Sequence, residues 1–307
     1  MDCLSIGDSF LDITVSSSYS KNKLVKGGTV NIDPIIFSPG GAANVAFTVA
    51  SLGGTSAFCG IVGQDMLGEL YHHDLKTNRV FPILHRDSSC PTGVLLSFVS
   101  RDGERSFLVS RGANDHLQRK DIDKAFRKVY PRVIYLSGHS LVNENLTEVL
   151  NYALKRANEM GIKVVFDCTP HNQVSKKREL FRSFAKRADC LCLNLMEAYA
   201  LTGARNPKTA LSILSSIIGF VALKMGKAGC IVTRENQIVK IEAPKVRMVD
   251  STGAGDAFAA SVAYGIAHDL FLGDIARLAV KASSAKVQYR GPRLPATWMM
   301  RSGKQDK

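Results

Sequence analysis

The chain has 307 residues, of which 45% are apolar and 22% are charged, and its formal net charge is +13. This length is sufficient for one large core, and the composition is that of a globular protein rather than a disordered one. The sequence contains no apolar run of membrane-spanning length, no basic-then-apolar leader and no Cys-x-x-Cys pair among its seven cysteines. We therefore expect a cytoplasmic protein with reduced thiols and no membrane partner.

The positive charge raises the question of a nucleic-acid partner. The basic residues are dispersed among acidic and apolar ones, and no stripe of aromatic and basic residues is present. This pattern favours a solvated surface over a nucleic-acid interface, and a positive field also attracts an anionic nucleotide.

Short apolar segments that are typical of strands alternate with helical segments along most of the chain. Strands are predicted at 3–6, 56–62, 132–136, 163–166, 190–193, 220–224 and 229–233. Helices are predicted at 42–52, 145–160, 177–188, 207–217, 254–267 and 275–287. Because the strands are almost entirely apolar, helices should cover both faces of a parallel sheet, which predicts an α/β fold.

Two segments, 13–37 and 92–109, break this alternation with period-two patterns and with expected turns at 26–28 and 102–103. We predict that they form a small β-sheet rising from the main domain, with a decorated edge of the main sheet as the alternative. Residues 1–300 are expected to be one domain, and residues 301–307 a frayed tail.

Polar residues follow the first predicted strand and precede the first predicted helix. Asp12 lies after strand 3–6, and a loop at the carboxyl end of a strand borders the ligand crevice of an α/β sheet. Gly40 and Gly41 permit close approach to the backbone, and Asn44 offers both a donor and an acceptor for sugar hydroxyls. Asp8 is a local rival to Asp12, and an ordinary helix start is the alternative for the second segment.

Asn194 and Glu197 open a predicted helix directly after strand 190–193. Residues three apart lie on one helix face, so the pair is suited to joint binding of a ligand. The same two residues also match a helix-capping arrangement.

The most informative segment is Asp-Ser-Thr-Gly-Ala-Gly-Asp-Ala-Phe at 250–258. A turn of small residues, Gly253, Ala254 and Gly255, opens an Ala-rich helix, so backbone N–H groups face outward at the positive end of the helix dipole. A phosphate fits such a site, and the carboxylate of Asp256 beside it is suited to taking a proton from an attacking hydroxyl. The segment therefore predicts phosphoryl transfer, against the alternative of a helix with an acidic first turn.

Segment 250–258 resembles the signature of the PfkB, or ribokinase-like, carbohydrate kinases, Asp-x-Thr-Gly-Ala-Gly-Asp-x-Phe, at every defining position. The resemblance implies a three-layer α/β/α fold with a mostly parallel central sheet, a small β-sheet lid and a possible homodimer through that lid. It implies that Asp256 is the catalytic base and that Gly253, Ala254 and Gly255 form the anion hole. It further implies ATP and Mg²⁺, and it leaves open a monovalent cation such as K⁺.

Other family motifs occur in order along the chain. By resemblance, the acceptor-binding residues are Asp12, Gly40, Gly41, Asn44 and Asn114. Asn194, Lys224, Gly226 and Gly229 would contact the nucleotide, and Glu197 would help to place magnesium through water. Two residues rather than three separate Gly41 from Asn44, a spacing that resembles the heptose-phosphate kinases of the family.

These observations predict an ATP-dependent kinase of a sugar or nucleoside hydroxyl, with a heptose-phosphate or other sugar-phosphate kinase as the alternative. A non-catalytic sensor on the same fold is a further alternative, although a binder needs no base such as Asp256. A nicotinamide oxidoreductase would require Gly-x-Gly-x-x-Gly after the first strand, and segment 7–12 contains one glycine. The sequence also lacks the Gly-x-x-x-x-Gly-Lys-Ser/Thr motif of P-loop enzymes.

Overall fold

A computed structural model of the protein describes residues 1–16, 28–29, 32, 34–99, 105–168, 170–295 and 298. Its strands are β1 (Cys3–Ile6), β2 (Phe10–Ser16), β3 (Ile36–Pro39), β4 (Ser56–Gly63), β5 (Val80–Asp87), β6 (Gly93–Val99), β7 (Arg105–Ser110), β8 (Val133–Ser137), β9 (Lys163–Asp167), β10 (Cys190–Asn194), β11 (Phe220–Lys224), β12 (Cys230–Arg234) and β13 (Gln237–Ile241). Its α-helices are α1 (Ala43–Ser51), α2 (Met66–Thr77), α3 (Arg119–Val129), α4 (Glu144–Glu159), α5 (His171–Lys176), α6 (Arg178–Ala185), α7 (Leu195–Thr202), α8 (Pro207–Ile217), α9 (Ala254–Ala267) and α10 (Leu272–Lys286).

The larger sheet has the strand order β13-β12-β11-β10-β9-β8-β1-β4-β5. The strands from β11 to β5 are parallel to one another, as the apolar pattern predicts. Strands β12 and β13 are antiparallel, which differs from the parallel strand expected at 229–233. The segment between β11 and β12 is too short for a crossover helix, so β12 must return alongside β11.

Alternate residues of the sheet point into two cores. In β1, Leu4 and Ile6 pack on one face with helices α3, α4, α6, α7 and α8, whereas Cys3 packs on the other face with α1, α2, α9 and α10. The result is the predicted three-layer α/β/α arrangement, with the central strands of the large sheet buried between two helical layers and the edge strands β13 and β5 partly exposed.

Each strand and helix predicted for the main domain is present, with ends shifted by a few residues. Five elements of the main domain were not predicted: α2, β5, α3, α5 and β13. Strand β5 lies at the sheet edge and contains Pro82, which weakens a strand pattern, while α3 combines strong amphipathicity with many charged residues.

The small sheet has the order β3-β2-β6-β7 and is built from the two segments expected to form the lid. Strand β2 is antiparallel to β3 and parallel to β6, and β6 is antiparallel to β7. Phe37, Phe107 and Leu108 are exposed by 48%, 50% and 61%, which leaves apolar surface on this sheet open. Of the predicted turns, residues 26–27 and 102–103 lie outside the described residues, as does the tail 301–307.

Within the described part of the chain, no helix combines the length and apolar character needed to cross a bilayer.

Candidate active site

Three neighbouring strands deliver polar side chains to one edge of the large sheet. Asp167, Asn194 and Lys224 are the last residues of β9, β10 and β11, and Asn194 is paired with Lys224 in the strand register. Since the carboxyl ends of parallel strands meet at one edge, this is where an α/β sheet binds its ligands.

Residues Gly253, Ala254 and Gly255 form the turn that opens α9, and this turn, the anion turn, has the backbone shape typical of anion sites. Gly253 has φ +74° and lies directly against the carbonyl of Pro292, where a Cβ atom would collide. No side chain caps the start of α9. The N–H of Ala254 donates to the carbonyl of Ser251 at 3.3 Å, so the amides that follow it in the first turn are the ones best placed for an anion. The anion-binding role of Gly253, Ala254 and Gly255 stays a prediction, with which this backbone geometry is compatible.

Asp256 lies in the first turn of α9 and is partly buried. Its Oδ2 accepts a hydrogen bond of 3.0 Å from Nδ2 of Asn44. Burial raises the pKa of Asp256, the Asn44 hydrogen bond opposes that rise, and the charge of Asp167 adds to it. A carboxylate that is held in place and has a raised pKa is suited to act as a general base.

Asn44 is itself held by Arg293, a residue that the sequence analysis did not select. Nε of Arg293 donates to Oδ1 of Asn44 at 3.3 Å, and Nη1 forms an ion pair of 2.5 Å with Asp74. Nη2 donates to the carbonyl of Pro39, and the guanidinium lies 4.6 Å from the ring centroid of Phe47. Arg293 therefore fixes the orientation of the amide that touches Asp256.

Asp12 is buried in β2 beside the Gly40–Gly41 turn. A Cβ atom at Gly40 would collide with the Asp12 carboxylate, so the glycine makes room for this side chain. Among the described residues, Oδ1 of Asp12 has no hydrogen-bond partner. Burial raises the pKa of Asp12 to about 7, with Arg293 opposing the rise and Asp256 adding to it.

Asp8, the alternative to Asp12 as a ligand-binding carboxylate, is bonded to other side chains of the protein. Its carboxylate forms an ion pair of 2.7 Å with Arg111 and accepts a hydrogen bond of 2.8 Å from Ser140. A Cβ atom at Gly41 would collide with the backbone carbonyl of Asp8, so this glycine permits close packing of two loops. The structure thus favours Asp12 over Asp8 as the carboxylate open to a ligand.

The Asn114 side chain, unlike that of Asp12, is fully engaged in hydrogen bonds to the backbone. Its Oδ1 accepts from the backbone N–H of Ser9 at 2.6 Å, and its Nδ2 donates to the carbonyls of Ser9 and Arg111. The side chain therefore joins the backbone segments at Ser9 and Arg111.

Lys224 does not extend into solvent. Its Nζ forms an ion pair of 2.9 Å with Asp167, and it lies 3.5 Å from the position that a Cβ atom of Gly255 would occupy. Burial alone would lower the pKa of Lys224, but the charges of Asp167 and Glu197 outweigh it and raise the pKa. A permanent positive charge therefore lies beside the anion turn.

Asn194 and Glu197 form a reciprocal capping box at the start of α7. Oδ1 of Asn194 accepts from the Glu197 N–H at 2.9 Å, and the Glu197 carboxylate accepts from both the backbone and the side chain of Asn194 at 2.7 Å. Glu197 is buried. The capping alternative is thus present in the structure, and the carboxylate remains close enough to Lys224 to raise the pKa of that lysine.

Gly226 and Gly229 lie in the turn that joins β11 to β12. The N–H of Met225 donates to the carbonyl of Gly229 at 2.8 Å, which closes the turn beside Lys224. Gly226 is exposed and Gly229 is buried, so the two glycines occupy different environments.

Comparison with known proteins identifies the family. The sequence profile of the pfkB family carbohydrate kinases matches residues 2–299. The chain belongs to this family. The protein named "Probable fructokinase-6, chloroplastic" from Arabidopsis thaliana is 30% identical over 247 residues, which is 76% of this chain and 64% of that relative.

Solved structures agree with this membership. Adenosine kinase from Sinorhizobium meliloti superimposes with a TM-score of 0.89 and 26% identity, over 100% of this chain and 99% of that one. A chain from E. coli assigned as a ribokinase II and solved with ATP and Mg²⁺ gives a TM-score of 0.85 at 19% identity, with 99% of each chain covered. This last likeness supports the fold, and the predicted family and ribokinase-like fold are confirmed.

Proposed function

We propose that the protein is an ATP-dependent kinase that phosphorylates a hydroxyl of a small sugar or nucleoside. The observation that carries the proposal is the position of Asp256, a partly buried carboxylate with a raised pKa at the anion-binding start of α9. A carboxylate beside a phosphate site is repelled by the phosphate, and proton abstraction from the attacking hydroxyl accounts for its presence. Relatives named as a fructokinase and an adenosine kinase support both acceptor classes.

In the proposed reaction, Asp256 takes the proton of the acceptor alcohol. The alcohol oxygen then forms a bond to the γ-phosphorus while the bond to the bridging oxygen of ADP breaks, in line. Asn44 holds Oδ2 of Asp256, so Oδ1 is the oxygen available to the incoming proton. The amides of Gly253, Ala254 and Gly255 stabilise the charge of the transferred group.

On the nucleotide side, Asn194, Lys224, Gly226 and Gly229 are the proposed contacts for ATP. Lys224 lies beside the anion turn, where its charge would attract the phosphates. Glu197 is the proposed partner of Mg²⁺. Because both of its oxygens accept hydrogen bonds from Asn194, it would act through water, as suits a hard cation that keeps its waters. When bound, Mg²⁺ neutralises charge on the phosphates.

On the acceptor side, Asp12, Gly40, Gly41 and Asn44 are the proposed binding residues. A buried carboxylate oxygen without a partner among the described residues is suited to accept hydrogen bonds from substrate hydroxyls. Asn114 would support this side by holding Ser9 in place.

The small sheet is the proposed lid, since closure over the acceptor would keep water from competing for the phosphoryl group. Its exposed residues Phe37, Phe107 and Leu108 support a homodimer contact through the same sheet. All seven cysteines are free, which supports the expected cytoplasmic location.

The test is ATP consumption measured against a panel of sugars, nucleosides, heptose phosphates and other sugar phosphates, with the Asp256→Asn variant as control. We expect turnover with one acceptor class and its loss in the variant. Turnover restricted to phosphorylated acceptors would select the sugar-phosphate alternative. Tight binding of an acceptor with no ATP consumption would select the non-catalytic sensor.

A further inference from the structure

A second buried cation lies at the turn that precedes α9. Lys286 is the last residue of α10, and it is 0% exposed. Its Nζ donates to the carbonyl oxygen of Asp250 at 2.9 Å and to that of Tyr289 at 3.1 Å. An ammonium group is costly to bury unless it is well hydrogen-bonded, so this position requires an explanation. The proposed reaction does not use it directly.

The two carbonyls that accept hydrogen bonds from Lys286 lie in the loops that support the anion turn. The Asp250 carboxylate accepts from the N–H and hydroxyl of Thr252 at 2.8 and 2.7 Å, and from the N–H of Gly291 at 2.9 Å. Burial opposes ionisation of Asp250, but hydrogen bonds from Thr252 and the charge of Lys286 lower its pKa. The side chain of Asp250 thus connects the two loops that Lys286 joins through their carbonyls.

The same two loops are in contact directly behind the anion turn. The N–H groups of Val249 and Asp250 donate to the carbonyl of Val287, at 2.7 and 3.1 Å. Gly253 packs on the carbonyl of Pro292, as described above. Movement of the 287–292 loop would therefore displace the first residue of the anion hole.

Backbone carbonyl oxygens are also the ligands that K⁺ uses in proteins. In this chain, the carbonyls of Asp250 and Tyr289 are already occupied by a tethered ammonium group, and a mobile cation has no need to bind them. Lys286 also lies at the negative end of the α10 dipole, which favours a positive charge there.

We infer that Lys286 is a built-in monovalent cation that positions the Gly253–Gly255 anion hole, so that phosphate binding in this protein requires no K⁺. The inference rests on the proposed function for its role in catalysis. Lys286 touches no reacting atom and is a positioning residue. At the carbonyls of Asp250 and Tyr289, the ammonium group of Lys286 takes the place that an added K⁺ would otherwise occupy.

The experiment compares four proteins in potassium, sodium, ammonium and tetramethylammonium chloride at equal ionic strength. They are the wild type, Lys286→Ala, Lys286→Met and Lys281→Ala, the last being an exposed lysine on the same helix. Calorimetry measures ADP affinity, and thermal unfolding measures stability. Alanine leaves space for a small cation, whereas methionine fills that space without a charge.

We expect the wild type and Lys281→Ala to bind ADP equally well in all four salts. Lys286→Ala should bind ADP about tenfold more weakly, or worse, in tetramethylammonium, since hydrogen bonds to a charged group are lost. Ammonium or potassium should restore part of this loss and raise the unfolding temperature of Lys286→Ala. Lys286→Met should show the loss without the restoration.

A wild type whose ADP affinity depends on K⁺ would overturn the inference, as would unchanged ADP affinity in both Lys286 variants. Equal losses in both variants with no response to any cation would show that Lys286 only packs. If Lys286→Ala does not fold, the wild-type salt series and Lys286→Met still decide. Because ADP binding needs no acceptor, failure of the acceptor panel would refute the proposed function separately.

Discussion

The two sides of the first turn of α9 differ in how their charges are satisfied. On the proposed acceptor side, Asp12 is buried with one oxygen unpartnered among the described residues, and burial raises its pKa to about 7. On the proposed nucleotide side, Asp167 forms an ion pair with Lys224, and Glu197 accepts hydrogen bonds from Asn194. On this assignment, the proposed acceptor side has a buried oxygen open to hydrogen bonds, whereas the charged groups of the proposed nucleotide side are already paired with one another. Asp256 lies between them.

The largest expected effect is at Asp256, where the two sides meet. Asp256→Asn keeps the shape of the side chain and removes the proposed base, so turnover should fall by roughly a hundred- to ten-thousandfold. ADP affinity, measured by calorimetry, should remain close to that of the wild type. The exposed Asp269→Asn serves as a matched control with normal turnover. Near wild-type turnover in Asp256→Asn would show that another group takes the proton.

The nucleotide side is tested by Lys224→Met. This change removes the charge beside Gly255 and leaves Asp167 buried without its partner, so ATP affinity should fall by about tenfold or more. Acceptor affinity should be unchanged, and so should ATP affinity in Lys208→Met, which changes an exposed lysine of α8. If acceptor affinity falls while ATP affinity is unchanged, Lys224 belongs to the acceptor pocket and not to the nucleotide pocket.

The acceptor side is tested by Asp12→Ala. Loss of a buried hydrogen bond to a substrate hydroxyl costs about 1 to 3 kcal/mol, which weakens acceptor binding but not ATP binding. Titration of each ligand separately measures the two affinities. If ATP affinity drops while the acceptor binds normally, the two pockets have been assigned in reverse.

The raised pKa of Asp12 also predicts how stability changes with pH. Its pKa rises from 3.8 when unfolded to about 7 when folded, so the folded state holds the proton more tightly. The stability that Asp12 contributes by binding this proton in the folded state is fully present below pH 3.8 and is lost as the pH rises towards 7. Asp12→Asn cannot ionise, so its free energy of unfolding should gain on that of the wild type by up to about 1.4 kcal/mol per pH unit in this window. Parallel denaturation curves for the two proteins from pH 4 to 8 would contradict this assignment.

The smallest effect is expected at Glu197. Glu197→Gln should raise the Mg²⁺ concentration needed for half-maximal activity, because a carboxylate that holds a hydrated cation is lost. It should also cost about 1 kcal/mol of stability through the weakened cap. Asn206→Ala removes a cap from α8, away from the site, and controls for this second effect. Superimposable Mg²⁺ titrations would leave Glu197 with a capping role alone.

Local patterns in the sequence predicted much of the fold and part of the site. The apolar strands and the bounds of α9 each depend on neighbouring residues, and both were predicted correctly. The anion-binding role of the turn at Gly253 stays a prediction. Arg293 was not found, because its partners Asn44 and Asp74 lie far away in sequence and leave no spacing to recognise. Asn114 was selected as a substrate contact, but only the folded chain shows that its amide is used by Ser9 and Arg111. The Asp167–Lys224 pair likewise depends on the alignment of separate strands.

The hydrogen bond between Asn44 and Asp256 spans 212 residues, and its support from Arg293 spans 249. During synthesis, the ribosome must therefore release the chain as far as Arg293 before the Asp256 side chain can be oriented in this way. The N-terminal portion of a chain can fold before the C-terminal portion is complete. The segments that contain Asp12 and Asn44 would then stay in a partly folded intermediate until α9 and the 287–293 segment are made. A chain that stops after α9 would contain the whole signature and still lack Arg293, so such a fragment should accumulate as an inactive species rather than as a weaker enzyme.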